Sequence, residues 1–435
     1  MPKTTLHLPV IQNWSCHNCG GCCREHLIEV TAAEKARIEQ QNWTADNGVP
    51  TDRPHIVRHS GDSWRLNHQD DGACVFLDER GLCRIHARFG EAAKPLACRV
   101  YPYAVHPVSG SLTVSLRFSC PSVVQNLGQP VSEQASLSKL SEEIVSGKQT
   151  LVSPPPVHGN ETLDWSDLLQ IVSVIDRSLT PDPKDNVQFV VRLMRVLSWL
   201  ELVEQSHFET VRGERLTDYL DVLTRAARKA QPDNDLPVLR PSRMGRIIFR
   251  LMVAQLLRHD TAETLRSGLL TRFRLLATGL KYTMGMGRVP PLPEPASVVT
   301  AFRDGRNADE GRVSFRSAES PFEGRTTEID ELFTRYFQVK VQGMHFCGVA
   351  NFDMSLVDGF RSLALMYPAA LWVARMKAAA AGRERVTLPD VQVALATLDH
   401  NFAYSPALGT RSALERIRIL GRLQQVTRLV GWYSL

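Results

Sequence analysis

A chain of 435 residues is longer than one ordinary hydrophobic core and predicts two or three domains. With 43% hydrophobic and 22% charged residues, the composition excludes both a disordered and a membrane-embedded protein. Its 51 basic and 46 acidic residues leave a net charge of only +5, too evenly matched for the concentrated basic face of a nucleic-acid binder, so no nucleic acid is expected as partner.

Residues 1–15 read as an extended lead-in ending at Trp14. Residues 16–23 then place four thiols, Cys16, Cys19, Cys22 and Cys23, in one glycine-broken stretch. The spacing in residues 24–30 fixes neither strand nor helix. Thr31 with Glu34 forms a capping-box pattern that opens a helix running towards Trp43. Residues 63–66 suggest a strand between turns, and residues 74–83 suggest a hairpin turning at 79–81 with Cys74 and Cys83 at its ends. A short helix is expected over 84–89, closed by Gly90, and a new turn at Pro95 leads to Cys98. The alternation of Leu112, Val114, Leu116 and Phe118 predicts a strand that delivers Cys120.

Beyond Cys120 the pattern becomes helical. Helices are expected over 132–144, 163–174, 186–204, 208–230, 246–259, 262–281, 328–339, 358–381, 388–400 and 412–432, with Thr387 as an N-cap and Pro389 in the first turn. Pro-rich segments at 153–156 and 289–295 read as linkers, and residues 303–324 as an irregular loop. The expected fold class is α+β overall and mainly α, a small irregular cysteine-rich metal-binding module with short strands followed by a large helical region. The expected divisions are a module over 1–125, a helical region over 126–288, a linker and loop over 289–325, and a C-terminal helical region over 326–435.

The N-terminal ten residues show no signal-peptide pattern, and no stretch approaches the roughly 20 apolar residues of a membrane-spanning helix. A cytoplasmic protein without a membrane span is therefore expected. In that reducing compartment clustered thiols serve as metal ligands or redox groups more often than as disulfides. Eight of the nine cysteines fall within the first 120 residues: Cys16, Cys19, Cys22, Cys23, Cys74, Cys83, Cys98 and Cys120. Thiolates two residues apart can reach one metal from a tight turn, for which Gly20 and Gly21 supply backbone freedom. A dense run of closely spaced thiols favours an iron–sulfur cluster, 4Fe–4S first, with zinc as the alternative. Arg24, Arg84 and Arg99 each follow a cysteine and are candidates for lowering thiolate pKa. His17, His26 and His86 lie near cysteines without a pattern that marks them as ligands, and isolated Cys347 reads as a buried inert thiol.

The run Cys16-x-x-Cys19-x-x-Cys22-Cys23, with Cys74 to Cys83-Arg84-Ile85 and Pro95-x-x-Cys98-Arg99-x-Tyr101-Pro102, resembles the YkgJ-type CxxCxxCC cysteine-cluster family, described as a zinc- or iron-chelating domain. The long form, with a strand leading to Cys120-Pro121 and a large helical half, is similar to the flagellin lysine-N-methylases. That resemblance covers residues 16–121 strongly and the rest only in architecture. It implies metal ligation by the eight cysteines, an iron–sulfur centre, S-adenosylmethionine as methyl donor and a protein substrate such as flagellin. The residues themselves show no strand followed by a Gly-x-Gly turn and helix; Gly285-Met286-Gly287 matches weakly, and no Cys-x-x-x-Cys-x-x-Cys occurs. Catalytic and cofactor-binding residues are therefore unassigned. Three functions stand open: an iron–sulfur protein with a structural or electron-carrying cluster, a protein lysine methylase, and a zinc-stabilised binding protein without catalysis.

Overall fold

The computed structural model describes residues 6–9, 11–59, 61–134, 137, 140, 143–144, 152–182, 187–208, 210–230, 239–258, 269–291 and 313–435. It is α+β and mainly α. Short strands stand in the first third, and the described residues beyond them form helices joined by turns and isolated bridges.

The described residues build two main hydrophobic cores. In the smaller one, the Thr31 hydroxyl accepts from Glu34 N–H, and the Glu34 carboxylate reaches back to Thr31 N–H, closing the expected capping box. Strand β3 (Glu29–Val30) pairs with β5 (Trp64–Leu66), which also pairs with β4 (Ile56–Arg58), all antiparallel. Helix α2 (Ala32–Glu39) buries Ile38 against Val30, Trp43, Ile56, Leu66, Val75, Phe76 and Ile85.

The larger core begins at a hairpin of β6 (Tyr103–Val108) and β7 (Ser111–Leu116), in register from Tyr103 opposite Leu116 to Val108 opposite Ser111. Ser109 and Gly110 both take positive φ, as a tight two-residue turn requires. The lead-in straps onto this side of the molecule. Strand β1 (Leu6–His7) lies parallel to β7, and β2 (Asn13–Trp14) pairs with β8 (Gln129–Pro130). The same core continues through α6 (Trp165–Leu179), α7 (Phe189–Glu204), α8 (Glu214–Ala230), α9 (Arg243–Leu256), α10 (Leu269–Met284), α11 (Phe315–Glu319), α12 (Thr327–Gln342), α13 (Leu356–Ala364), α14 (Met366–Ala380), α15 (Leu388–Asp399), α16 (Arg411–Arg422) and α17 (Gln425–Tyr433). Helix α14 is buried from Met366 to Ala378 and forms the axis of the helical half.

Three sequence expectations are corrected. The helix expected over 358–381 breaks at Leu365, because Pro368 has no N–H to offer the turn before it. The helix expected over 412–432 breaks at Gln424, which turns left-handed; the buried Gln425 beside it donates to Leu423 O and accepts from Ser242 N–H. The loop expected over 303–324 contains α11, whose Ser314 cap accepts from Ser317 N–H and whose Phe315 and Ala318 are buried. Of the helix expected over 132–144, residues 135, 136, 138, 139, 141 and 142 fall outside the described residues, as do 262–268, 292–295 and 303–312. No described helix is long and apolar enough to cross a membrane.

Helix α12 meets β7 at Gly343. A Cβ there would run into the backbone and side chain of Ser115, and Thr113 Oγ1 donates to Gly343 O at 3.2 Å. Replacing Gly343 by Ala is expected to cost about 1–3 kcal/mol through overpacking. Urea unfolding of the variant measures this, and an unchanged midpoint would show that helix and strand can separate freely.

Candidate metal centre at the junction of two cores

The thiol stretch lies between the two cores. Asn18 and Gly20 both take positive φ, and the turn then enters helix α1 (Cys22–Glu25), with Cys23 N–H donating to Gly20 O and Arg24 N–H to Gly21 O. Glycine is required at 81, where φ is +80° and a Cβ would sit 2.8 Å from Asn18 O. The tip of the 74–83 segment therefore packs directly on the thiol loop. That segment is not the expected pair of strands. It carries single bridges, His68 with Cys74 and Leu77 with Cys83, around a turn in which Asp78 accepts from Arg80 and Leu82 N–H. Cys74 N–H donates to Cys23 O at 2.8 Å, joining the two thiol segments through their backbones.

The remaining cysteines arrive on short helices. Cys83 caps α3 (Arg84–Phe89), which ends at Gly90 as expected. Cys98 lies on α4 (Leu96–Val100), whose first N–H, that of Leu96, donates to the Glu34 carboxylate at 2.7 Å. Cys120 follows β7 and caps α5 (Pro121–Val124). Cys74 belongs to the small core and Cys120 to the large one.

The thiols influence one another's ionisation in two sets. Burial raises the Cys74 thiol above its ordinary range against the opposing Phe76 N–H, and Cys98, Cys83 and Cys22 raise it further. Burial pushes Cys98 up to about 12, with Lys94 opposing and Cys22 and Cys83 adding. Cys22 is raised well above the thiol range by its hydrogen bond to the Cys23 sulfur and by burial. A second set stands beside this one. Burial raises Cys19, with Cys22 and Cys16 adding, and burial pushes Cys120 up to about 12, with Cys19 adding. The half-buried Tyr101 hydroxyl is raised by burial, with Cys120 and Cys22 adding. Among the described residues no three cysteine sulfurs lie within 4.8 Å of one another.

The donor set suits a soft metal group. Cys74 and Cys120 are buried and Cys19, Cys22, Cys23, Cys83 and Cys98 partly so, and deprotonating desolvated thiols requires a compensating positive charge. The cation that lowers Cys22 and Cys98 is Lys94, and the three arginines singled out by sequence are engaged elsewhere. Arg24 pairs with Asp71, Arg99 with Glu143, and Arg84 donates to Asn47 O. His17 Nδ1 lies against Ser15 O and Ser122 Oγ. Cys347 is buried in the large core, as expected.

Residues 15–121 match the family model CxxCxxCC, described as "Putative zinc- or iron-chelating domain". The N-terminal module is similar to that domain. The CxxCxxCC match takes in all eight clustered cysteines. The chain is also similar to the Lysine-N-methylase of Salmonella choleraesuis (strain SC-B67), 24% identical over 135 residues, which are 29% of this chain and 33% of that protein. The Lysine-N-methylase of Salmonella typhimurium matches to the same extent. The "Flagellar biosynthetic protein FliU" of Salmonella muenchen is 24% identical over 135 residues, 79% of its length. The chain thus spans about a third of the length of the lysine-N-methylases it matches. No solved structure matches it.

Beside the CxxCxxCC thiols the fold gathers a group that the sequence does not bring together. Glu25, at the end of α1, His26 and His400 each offer a ligand atom, and these atoms all lie within 4.8 Å of one another. His26 stacks on His400 with ring centroids 5.4 Å apart and planes 4° from parallel, and on its other side meets Tyr101 at 4.7 Å. Of the three, only His26 stands out in the sequence, by its nearness to cysteines. His400 comes from the far end of the chain and carries no local signal. Gly285, half of the weak Gly-x-Gly match, serves packing instead. A Cβ there would strike the Arg250 guanidinium, which caps the end of α10 by donating to Tyr282 O and Thr283 O.

Proposed function

We propose that the eight CxxCxxCC cysteines hold an iron–sulfur centre and that the protein transfers a methyl group from S-adenosylmethionine to lysine on a protein such as flagellin. The observation that carries the first part is the arrangement of the sulfurs. Cys22, Cys83 and Cys98 raise the Cys74 thiol and Cys22 and Cys83 raise that of Cys98, yet among the described residues no three cysteine sulfurs gather within 4.8 Å of one another. Four sulfurs at about 2.3 Å from one tetrahedral zinc would stand only ~3.8 Å apart. Ligands spread over several irons stand wider, and this favours a cluster over a single ion. Cys16, Cys19 and Cys120 form the adjoining set, with Cys23 hydrogen-bonded to Cys22.

The second part rests on the similarity to the two lysine-N-methylases and on the size of the helical half, which can offer a protein-binding face. The overall reaction balances simply: a neutral lysine amine gains an N–C bond, the sulfonium C–S bond breaks, S-adenosylhomocysteine leaves and one proton is released. Anaerobic purification followed by iron, sulfide and zinc analysis tests the centre. Iron and sulfide in matching amounts are expected, and stoichiometric zinc without iron would overturn the cluster. Calorimetry with S-adenosylmethionine and mass spectrometry of flagellin test the activity. Absence of both binding and methyl-lysine would overturn it.

A further inference from the structure

We infer that Glu25, His26 and His400 form a second metal site, distinct in chemistry from the thiols, which takes one divalent transition-metal cation such as zinc or ferrous iron. Two imidazoles and one carboxylate are a donor set suited to those ions, and three protein ligands leave a coordination position open. The spacing argues for a shared ion. His400 Nδ1 and Glu25 Oε2 form an ion pair 3.6 Å apart, a spacing that a shared ion also fits. Two ligands held about 2.0–2.2 Å from one tetrahedral ion stand ~3.3–3.6 Å apart, which matches. The site is also shielded: the Glu25 side chain is 3% exposed and that of His400 14%.

Its surroundings hold the ligands in place. Arg117 donates to His400 O at 3.1 Å while its guanidinium lies 3.9 Å over the Tyr404 ring, and Tyr101 packs on His26. His400 directly follows Asp399, whose carboxylate accepts from Phe118 and Ser119 N–H at the exit of β7. An ion here would join the helical half to the thiol-bearing helix α1. It would use no cysteine, so its ligand set is separate from the thiols of the proposed iron–sulfur centre.

Zinc titrated into the full-length protein tests it. X-ray absorption is expected to show one equivalent per chain in a nitrogen and oxygen shell, and that equivalent is expected to disappear in His400→Ala and His26→Ala while metal bound to sulfur is retained. Circular dichroism identifies which variants fold. Should neither fold, the wild-type spectrum decides alone. Zinc bound only by sulfur in the wild type, or equal zinc content in the folded variants and the wild type, would overturn the site.

Discussion

Asp399→Ala is expected to destabilise the protein by about 3–5 kcal/mol, the range found when one partner of a buried ion pair is removed. Asp399 Oδ1 lies 2.8 Å from Lys340 Nζ, and both side chains are fully buried. The same oxygen accepts from Tyr336 OH at 3.1 Å, and Oδ2 accepts from Phe118 N–H at 2.5 Å and Ser119 N–H at 3.2 Å. Removing the carboxylate leaves an ammonium in an apolar interior together with three donors that have lost an acceptor. Among the described residues Lys340 retains Leu116 O and His345 Nδ1 within hydrogen-bond reach, and burial already holds its pKa below the ordinary lysine value. Lys340→Met is expected to cost less, because Asp399 keeps its three other donors. Urea unfolding of both variants and the double variant measures this, and a loss below about 1 kcal/mol for Asp399→Ala would mean that the network is not closed to water.

The contrast between what is and is not legible in the sequence follows from the range of each interaction. The capping box at Thr31 and Glu34, the stop at Gly90 and the strand leading to Cys120 depend on neighbours a few residues away, and all three stand in the structure. The cysteine spacing marks residues 16–23 for the same reason. What the spacing cannot show is that the stretch bridges two cores, because Cys74 and Cys120 take their burial from opposite sides of the junction. Charge placement fails in the same way. Arg24, Arg84 and Arg99 adjoin cysteines in sequence, but a side chain follows its best partner, and Asp71, Asn47 O and Glu143 claim them. Lys94, four residues before Cys98 and without a local pattern, is the cation that acts on the thiols. In sequence, Asp399 and His400 are no more than the end of a helix. Their contacts with β7 and with α1 exist only once α15 has docked.

Cys98→Ala is expected to weaken metal binding by about 100-fold or more, since losing a group that merely orients a ligand already costs about 10–100-fold. Cys98 is the choice because its charge is coupled to those of Cys22, Cys74 and Cys83 and it sits on a helix of five residues held at its start by Glu34. So short a helix has little stability of its own, and its packing depends on what its side chains hold. Binding free energy at such a site is also folding free energy, because the unfolded chain offers no preformed ligand set. The small core over residues 30–85 is therefore expected to open in Cys98→Ala at lower denaturant than the large core, read as protease cleavage within 30–85 while the helical half stays intact. Cys347→Ala removes a thiol that is more deeply buried but belongs to the large core with Phe346, Phe360 and their neighbours. It is expected to lower stability while leaving metal content whole. Equal metal content in the two variants would remove Cys98 from the ligand set, and with it the chelate that ties the CxxCxxCC module to the rest of the chain.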